Sequence, residues 1–284
     1  MSLSQIRNLA RQYRDEYIQL RQHIHAHPEL SFEEYETSKL VQAHLRSYNI
    51  PFETMAGTGV VGLIEGRNPG SRIVALRADM DALPITEEND ITYKSTSPGV
   101  MHACGHDVHT TCLLGASRIL NETREHWEGT VKLIFQPGEE KNPGGASIMI
   151  NEGVLENPKP QAIIGMHVHP GLPTGRFSFR SGMVMASADE LYITIKGKGG
   201  HAAAPQLTAD TLLVASQIVV GLQQIVSRNN NPFNPTVLSI TAINGGNTTN
   251  VIPSEVKMMG TFRAMNEEWR FRAHELIRKH VQET

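Results

Sequence analysis

Hydrophobic residues recur at helical spacing over residues 3–25, which predicts an amphipathic helix ended by Pro28, and a second helix is predicted over residues 33–48. Short runs rich in β-branched residues predict strands over residues 59–64, 72–76, 130–135 and 162–166. Their nearly continuous hydrophobicity is typical of strands that are buried on both faces. Helical patterns separate the later strands, over residues 108–120 and 146–152. This alternation predicts an α/β domain with a mixed, largely parallel sheet flanked by helices.

The pattern changes near Gly182. The elements predicted beyond it are a strand over 190–196, a helix over 209–227, strands over 236–243 and 255–263, and a helix from Glu267. This β-α-β-β-α order is one strand short of a ferredoxin-like unit. We therefore predict two domains: residues 1–183, and residues 184–284 as a small α+β domain that lacks its last strand.

Composition narrows the class of protein. The 284 residues carry 26 Lys and Arg against 29 Asp and Glu, a formal net charge of −3, so no broad basic field favours nucleic acid as a partner. The polar N-terminus and the lack of a long apolar run favour neither a signal peptide nor a membrane span. Two cysteines form no disulfide framework. These features predict a cytoplasmic enzyme, and 13 histidines direct attention to metal chemistry.

The first candidate for metal chemistry is the pair Cys104 and His106. They flank Gly105 immediately before a predicted helix. Thiolate and imidazole are ligands for Zn²⁺, Mn²⁺, Co²⁺ or Ni²⁺, and the glycine allows both side chains to turn toward one ion. Taken alone the pair is a weak signal, because a buried cysteine near a surface histidine is common.

Two further segments strengthen this interpretation. Glu139 and Glu140 follow the predicted strand over 130–135, and His167 follows the one over 162–166. In open α/β sheets, ligands bind at the carboxyl ends of the strands. Adjacent carboxylates can divide the work, since one can coordinate an ion while the other takes a proton from water. The alternative is that Glu139 and Glu140 are only a solvated pair in a glycine-rich loop. That alternative does not explain why three separate segments bring potential ligands to one edge of the sheet.

Several motifs together resemble the M20 metallopeptidase superfamily, and more narrowly its amidohydrolase branch of aminoacylases, hippurate hydrolases and auxin-conjugate hydrolases. The motifs are HPELSFEE (27–34), ALRADMDALP (75–84), MHACGHDVHTT (101–111), FQPGEE (135–140), GMHVHP (165–170), GKGGHAAAP (197–205) and INGGNTTNVIP (243–253). They cover nearly the whole chain in order.

This resemblance implies a zinc-peptidase-like catalytic domain with one or two divalent ions (Zn, Mn, Co or Ni) and a lid domain that forms a homodimer. It also implies that the substrate is an N-acyl amino acid or a related small conjugate. The implied roles are metal binding by Cys104, His106, Glu140 and His167, general base by Glu139, oxyanion stabilisation by His201, substrate binding by Asn250 and Arg263, and ligand orientation by Asp79 and Asp81.

The chain departs from the family in one respect. Family members continue further, finish the lid with a strand and return to the first sheet with one more histidine ligand, so we expect an incomplete chain that alone binds metal weakly and turns over poorly. Two alternatives stay open: a dipeptidase or carboxypeptidase of the same superfamily, and a non-catalytic remnant that acts as a binding or dimerisation module. The motif His23-x-His25-x-His27 is interpreted as capping and packing, because alternate residues of a helix diverge.

Overall fold

The computed structural model of the chain describes residues 2–284. Its contacts separate two compact units, the first ending at Thr174 and the second running over Gly175–Thr284. The hydrophobic pattern placed the boundary after residue 183, because residues 175–188 form no helix or strand that could mark it earlier. None of the helices over residues 2–284 is both long and apolar enough to cross a membrane.

The described part of the first unit contains helices on both faces of one sheet. Its helices are α1 (Leu3–Gln12), α2 (Arg14–Ala26), α3 (Tyr35–Ser47), α4 (His106–Glu122) and α5 (Gly145–Asn151). Its strands are β1 (Phe52–Met55), β2 (Gly59–Glu65), β3 (Ile73–Asp79), β4 (Thr130–Gln136) and β5 (Ala162–Gly165).

The first helix differs from the prediction, because Tyr13 interrupts it between α1 and α2. The hydroxyl of Tyr13 donates a hydrogen bond to Glu122 at 2.7 Å, and the guanidinium of Arg118 lies 3.7 Å from the centre of its ring. Both partners lie on α4, far away in the sequence. Hydrophobic periodicity cannot register such a contact, so it predicted one continuous helix.

The sheet of the first unit has the strand order β1-β2-β4-β3-β5. β3 pairs in parallel with β4 and β5, whereas β2 pairs antiparallel with β1 and β4. The predicted mixed sheet flanked by helices is confirmed. β1 was not predicted, because its sequence Phe-Glu-Thr-Met is short and half polar. A tight turn with positive φ at Ala56 and Gly57 joins it to β2 in an antiparallel pair. Because β2 also pairs antiparallel with β4, two of the four pairings among the described strands are antiparallel and the sheet is less parallel than predicted.

The core of the first unit lies on both sides of this sheet. Leu45 of α3 and Leu114 of α4 are fully buried against Leu133 and Phe135 of β4. Met149 of α5 packs with residues of the opposite face. Burying a side chain of this size stabilises the fold by about 1.5–3 kcal/mol relative to its exposure. The helices are thereby fixed against the strands that carry the candidate site.

β5 contradicts the prediction that all four strands are buried on both faces. Each of its residues is exposed, and Ile163 and Ile164 retain 49% and 58% of their accessible surface. β5 is the edge strand and pairs with β3 alone among the described strands. No described helix covers it, and hydrophobic composition does not reveal which position in a sheet a strand takes.

The parallel pairing of β3 with both of its neighbours determines what meets at one edge of the sheet. The three strands end at Asp79, Gln136 and Gly165. Because they run in the same direction, the segments that follow them leave the same edge. These segments carry Glu139 and His167, so the topology delivers both candidate residues to one place.

The second unit has a sheet with helices on one face. In the described chain it contains β6 (Asp189–Lys196), β7 (Gly200–His201), α6 (Thr211–Gln224), β8 (Thr236–Asn244), β9 (Val251–Ile252), β10 (Glu255–Ala264) and α7 (Glu267–Glu283). The long strands form an antiparallel sheet of order β6-β10-β8, and β7 pairs with β9.

The order β-α-β-β-α of the longer elements is the one predicted. On β10, Val256, Met258 and Phe262 are buried against Leu222 of α6 and Ile277 of α7. The residues between them face away from the helices and are more exposed. This period of two produced the correct strand prediction. The short strands β7 and β9 were not predicted, because two residues are too few to show a period.

An ion pair ties the start of β6 to α7. Nε of Arg270 donates to both carboxylate oxygens of Asp189 at 2.9 and 3.0 Å, and its terminal nitrogen donates at 2.7 Å. Burial acts to raise the pKa of Asp189, but the hydrogen bonds and charge of Arg270 outweigh it and hold that pKa below its usual value. The pair is half-buried, so solvent screens it only in part.

We expect Arg270→Ala to destabilise the second unit by about 1–3 kcal/mol, because it leaves a half-buried carboxylate without its charged donor. Urea unfolding followed by the fluorescence of Trp269, in a Trp127→Phe background, measures this. Because the folded pKa of Asp189 is depressed, the difference from the parent is complete above the unfolded pKa and shrinks as the pH falls through the folded one. The control is Arg272→Ala, an exposed change on the same helix. Equal stability of the two variants would contradict the assignment.

Candidate metal centre

Ligand-type side chains form three groups at the carboxyl edge of the first unit's sheet; two of them contain the predicted ligands, and the third consists of Asp79, His106 and His109. One ligand atom each of Cys104, His106 and His167 lies within 4.8 Å of the others. His106 belongs also to a second group, in which one atom each of His106, Glu139 and Glu140 meets the same limit. The structure thus brings together the five residues that sequence analysis placed at one edge, with His106 common to both groups.

Cys104 and His106 flank a turn that requires glycine. Gly105 has φ +84°, and a Cβ at this position would overlap the side chain of Val168. α4 begins at the next residue. The turn therefore places the thiol just before the helix and the imidazole in its first turn, from where both reach the centre.

The ring of His106 is fixed at one nitrogen and unpaired at the other. The residue is 1% exposed, and Nδ1 lies 3.2 Å from an oxygen of Asp81. Nε2 is buried and has no hydrogen-bond partner among the described residues, with the nearest oxygen of Glu140 at 3.8 Å. Leaving a buried polar atom unpaired costs about 1–3 kcal/mol. A metal ion at Nε2 would satisfy it.

The other donors suit the same kind of ion. The sulfur of Cys104 lies 3.4 Å from Nε2 of His167, whose Nδ1 lies 2.6 Å from the carbonyl of Val168. The centre therefore offers a thiol, two imidazoles and the carboxylates of Glu139 and Glu140. This set of sulfur, nitrogen and oxygen donors matches divalent transition metals such as zinc, cobalt, nickel and manganese. The residues fit such an ion.

The electrostatics of the centre also favour a cation. Burial and the neighbouring carboxylate of Glu140 raise the pKa of the Cys104 thiol to about 12. Burial and the charges of Glu140 and Asp79 raise the pKa of Glu139. Both shifts arise because negative groups are crowded together beside the buried His106, although Glu139 and Glu140 themselves keep contact with solvent. A divalent cation would relieve the repulsion and allow the thiol to bind as thiolate.

Asp81 connects two of the ligand-bearing segments. One of its oxygens lies 3.2 Å from Nδ1 of His106, and the other accepts hydrogen bonds from the backbone N–H of Glu140 at 2.9 Å and from the hydroxyl of Ser31 at 2.6 Å. Asp81 is almost fully buried. A single carboxylate therefore orients the His106 ring and holds the backbone that carries Glu140.

Asp79 acts on the segment that carries His167 through His109, which is not among the predicted site residues. Oδ1 of Asp79 lies 2.6 Å from Nδ1 of His109, and Arg77 donates to Oδ2 at 2.6 Å. Nε2 of His109 accepts the N–H of Val168 at 2.9 Å, so the proton of this ring is on Nδ1. His109 thus holds the backbone beside His167, and neither of its nitrogens is available for metal. The sequence feature that could have indicated this role is the position of His109, three residues after His106.

The motif His23-x-His25-x-His27 forms no group of three potential metal ligands in the described structure. His25 is buried, with Nδ1 2.8 Å from Asp107 and Nε2 3.0 Å from Glu87. The hydrogen bond to Asp107 raises the pKa of His25, although burial acts against it. His23 and His27 contact each other closer to the surface. The motif therefore packs and links elements.

In the second unit, His201 and Asn250 lie side by side. β7 pairs His201 with Val251, and the N–H of Ala202 donates to the carbonyl of Asn250 at 2.9 Å. Nδ1 of His201 accepts the N–H of Ala203 at 3.1 Å, which leaves the proton on Nε2. Both side chains are exposed. This turn therefore presents an imidazole N–H and an amide in one place.

Arg263 lies elsewhere in the second unit. It is near the carboxyl end of β10, whereas the turn with His201 is joined to the sheet near the start of that strand, where Gly197 bonds to Ser254. The guanidinium of Arg263 donates to the hydroxyl of Thr261 at 3.1 Å. Within this unit, the structure does not bring Arg263 together with His201.

Residues 75–280 match the profile described as Peptidase family M20/M25/M40. The chain is 42% identical over 282 residues to thermostable carboxypeptidase 2 of Saccharolobus solfataricus, covering 98% of this chain and 71% of the relative. It is 42% identical over 271 residues to the N-acyl-L-amino acid amidohydrolase of Geobacillus stearothermophilus, covering 95% and 72%. It is 48% identical over 251 residues to IAA-amino acid hydrolase ILR1-like 2 of Arabidopsis thaliana, covering 88% and 56%.

Solved structures agree with these matches. A proposed aminohydrolase from methicillin-resistant Staphylococcus aureus aligns with a TM-score of 0.91 at 35% identity, covering 99% of this chain and 74% of that one. The YXEP protein of Bacillus subtilis, described as a dinuclear metal-binding peptidase from the M20 family, aligns with a TM-score of 0.78 at 38% identity, covering 95% and 70%. Sequence and structure together show that this chain belongs to Peptidase family M20/M25/M40 and is a hydrolase of that family.

Proposed function

We propose that this chain carries out metal-dependent hydrolysis of the amide bond of N-acyl amino acids or related small conjugates. The observation that carries the proposal is the meeting of one thiol, two imidazoles and the adjacent carboxylates Glu139 and Glu140 around His106. Relatives named N-acyl-L-amino acid amidohydrolase and IAA-amino acid hydrolase support this class of substrate.

Cys104, His106, Glu140 and His167 are the residues that would hold one or two divalent transition-metal ions. Such an ion, when bound, acidifies water and polarises the amide carbonyl. Asp81 orients the His106 ring for this purpose through the Nδ1 contact. The solved relative from Bacillus subtilis, described as dinuclear metal binding, supports the assignment.

Glu139 is the proposed general base. Its carboxylate takes a proton from the water that attacks the acyl carbon, and it then delivers that proton to the nitrogen of the leaving amine. Its neighbour Glu140 is directed to the metal, so the adjacent carboxylates divide the two tasks. Support comes from the position of Glu139 in the group around His106.

The second unit supplies the proposed contacts to the substrate. Nε2–H of His201 donates to the oxyanion that develops on the attacked carbonyl. The hydroxyl of Thr248 donates to Oδ1 of Asn250 at 2.9 Å, which directs the amide N–H groups of Asn250 toward a substrate carboxylate. Arg263 is a second candidate for that carboxylate. Because it lies at the other end of β10 from the turn with His201, we propose that it contacts a substrate bound to another subunit.

We further propose that two copies of the chain form a homodimer through their second units. Exposed apolar side chains on α6, Leu213 and Val220, and on the free face of the sheet, Tyr192 and Met259, support such a contact. The cytoplasm is the proposed location, since both cysteines, Cys104 and Cys112, are free thiols.

A carboxypeptidase or dipeptidase activity is the second candidate function. It is favoured by the 42% identity to thermostable carboxypeptidase 2. Both reactions cleave an amide bond next to a free carboxylate, so they share the proposed roles of Glu139 and Asn250. Hydrolysis rates on a panel of N-acyl amino acids and unblocked dipeptides separate the two candidates, because only the peptidase accepts a free amino terminus at the acyl side.

We expect Glu139→Gln to lower kcat on N-acyl amino acids by about 10²–10⁴-fold, because an amide accepts no proton, while the metal content stays near that of the parent. Steady-state kinetics and elemental analysis after dialysis measure the two effects. The matched variant is Glu140→Gln, which should lose metal as well as activity. A Glu139→Gln variant with unchanged turnover would refute the role of the base.

We expect His201→Ala to lower kcat by about 10²–10³-fold through the loss of an oxyanion donor. If His201 serves the partner's centre in the dimer, a mixture of His201→Ala and Glu139→Gln chains should recover activity, because each mixed dimer contains one intact set of residues.

Kinetics before and after subunit exchange test whether His201 serves the centre of the partner chain. Analytical ultracentrifugation measures the mass of the assembly. Recovery of up to about a quarter of the parental activity is expected for random exchange. A dimer that exchanges subunits without any recovery would show that His201 acts within its own chain, and a monomeric active enzyme would refute the dimer.

A further inference from the structure

Glu34 is a buried acid that the mechanism above does not use. It is 0% exposed, just before α3 in the first unit. No Lys, Arg or His among the described residues forms an ion pair with it. A buried polar side chain needs hydrogen-bond partners, so the groups that contact Glu34 decide how it is held.

Three donors converge on this carboxylate. Oε1 accepts the backbone N–H of Phe32 at 2.9 Å and that of Gly138 at 2.7 Å. Oε2 accepts the hydroxyl of Thr58 at 2.6 Å. These donors come from three separate segments of the chain, and the one with Gly138 also carries Glu139.

The backbone around this contact has unusual conformations. Phe32 has φ +68°, a region that costs a residue with a Cβ about 1–2 kcal/mol. Gly138 has φ +52°, and a Cβ there would overlap the ring of Phe32. Glu34 bonds to both residues. The unfavourable φ of Phe32 therefore occurs where its ring packs against Gly138, in the loop that carries the glutamates.

The same loop is held at a second point. The N–H of Glu140 donates to Asp81 at 2.9 Å, and the carbonyl of Gly138 accepts the N–H of Gly145 at 2.8 Å. Glu139 thus lies between two anchored backbone positions, one bonded to Glu34 and the other to Asp81. Asp81 contacts a candidate ligand directly, through His106, whereas Glu34 reaches the centre through the backbone of the loop.

We propose that Glu34 is a positioning residue for the metal centre: through the backbone of Gly138 it fixes the loop that places Glu139 and Glu140. This inference rests on the proposed function, since it assigns Glu34 to the same centre. The required property is one oxygen that accepts the N–H groups of Phe32 and Gly138, and a second polar atom that bonds to Thr58, both at a fixed reach from α3. Glutamine keeps that arrangement, because its oxygen can accept both N–H groups and its amide can donate to Thr58, whereas alanine removes all three bonds.

The test compares Glu34→Ala, Glu34→Gln and the exposed neighbouring control Glu33→Gln in the full chain. Co²⁺ titration followed by the visible absorption of the bound ion reports affinity and coordination without any reaction. We expect Glu34→Ala to lose about 10–100-fold in cobalt affinity and in kcat, with a changed absorption spectrum. Glu34→Gln is expected within a few-fold of the parent, and Glu33→Gln should match the parent.

A purely structural role predicts a different outcome. Glu34→Ala would then melt at a lower temperature, yet the folded protein would keep the parental cobalt spectrum, affinity and kcat, and this result would overturn the proposal. Equal damage in Glu34→Gln and Glu34→Ala would overturn it too, because the acceptor geometry would then be irrelevant. If Glu34→Ala does not fold, Glu34→Asp keeps a carboxylate but draws it back from the N–H of Gly138, and parental cobalt affinity in that variant would likewise refute it.

Failure of the proposed function can be told apart from failure of this inference. If the parent chain hydrolyses no amide and matches Glu139→Gln, the proposed function fails, while the cobalt titration of Glu34→Ala still measures positioning. If the parent is active, Glu139→Gln is not, and Glu34→Ala behaves as the parent in both measurements, the positioning role alone is refuted.

Discussion

The constraint on which the first unit depends is the parallel pairing of β3 with both β4 and β5. Three strands that run in one direction release their following segments at one edge, and each of these segments carries part of the candidate centre. An antiparallel β5 would send His167 to the opposite edge. The antiparallel pairs of β2 lie on the other side of β4 and deliver no candidate ligand, so the mixed topology leaves the centre intact.

Topology brings the segments within reach, and buried acceptors fix their final positions. Asp81 bonds to the His106 ring and to the backbone of Glu140, while Asp79 acts through His109 on the backbone beside His167. These groups hold backbone N–H as well as side chains. Buried hydrogen bonds of this kind are costly to break, and they hold the backbone on which the candidate ligands stand.

Local patterns predicted the long elements and the ligand-type residues, because periodicity and strand ends are properties of neighbouring residues. Contacts between distant segments were not predicted: those of Tyr13 with α4 at the point where the first helix is interrupted, the exposed edge position of Ile164, and the role of His109 in holding the Val168 backbone. Glu34 is the clearest case. Its motif contributed to the resemblance, yet nothing in its sequence shows that it bonds to a loop about a hundred residues away.

We propose that Cys104, His106, Glu140 and His167 form one metal centre. X-ray absorption spectroscopy of the zinc-loaded chain, beside a Cys104→Ser variant, reports the atoms around the ion. We expect a sulfur scatterer at about 2.3 Å together with nitrogen and oxygen scatterers near 2.0–2.1 Å, and the loss of the sulfur signal in the variant. A zinc shell without sulfur in the parent, or one unchanged by Cys104→Ser, would contradict it.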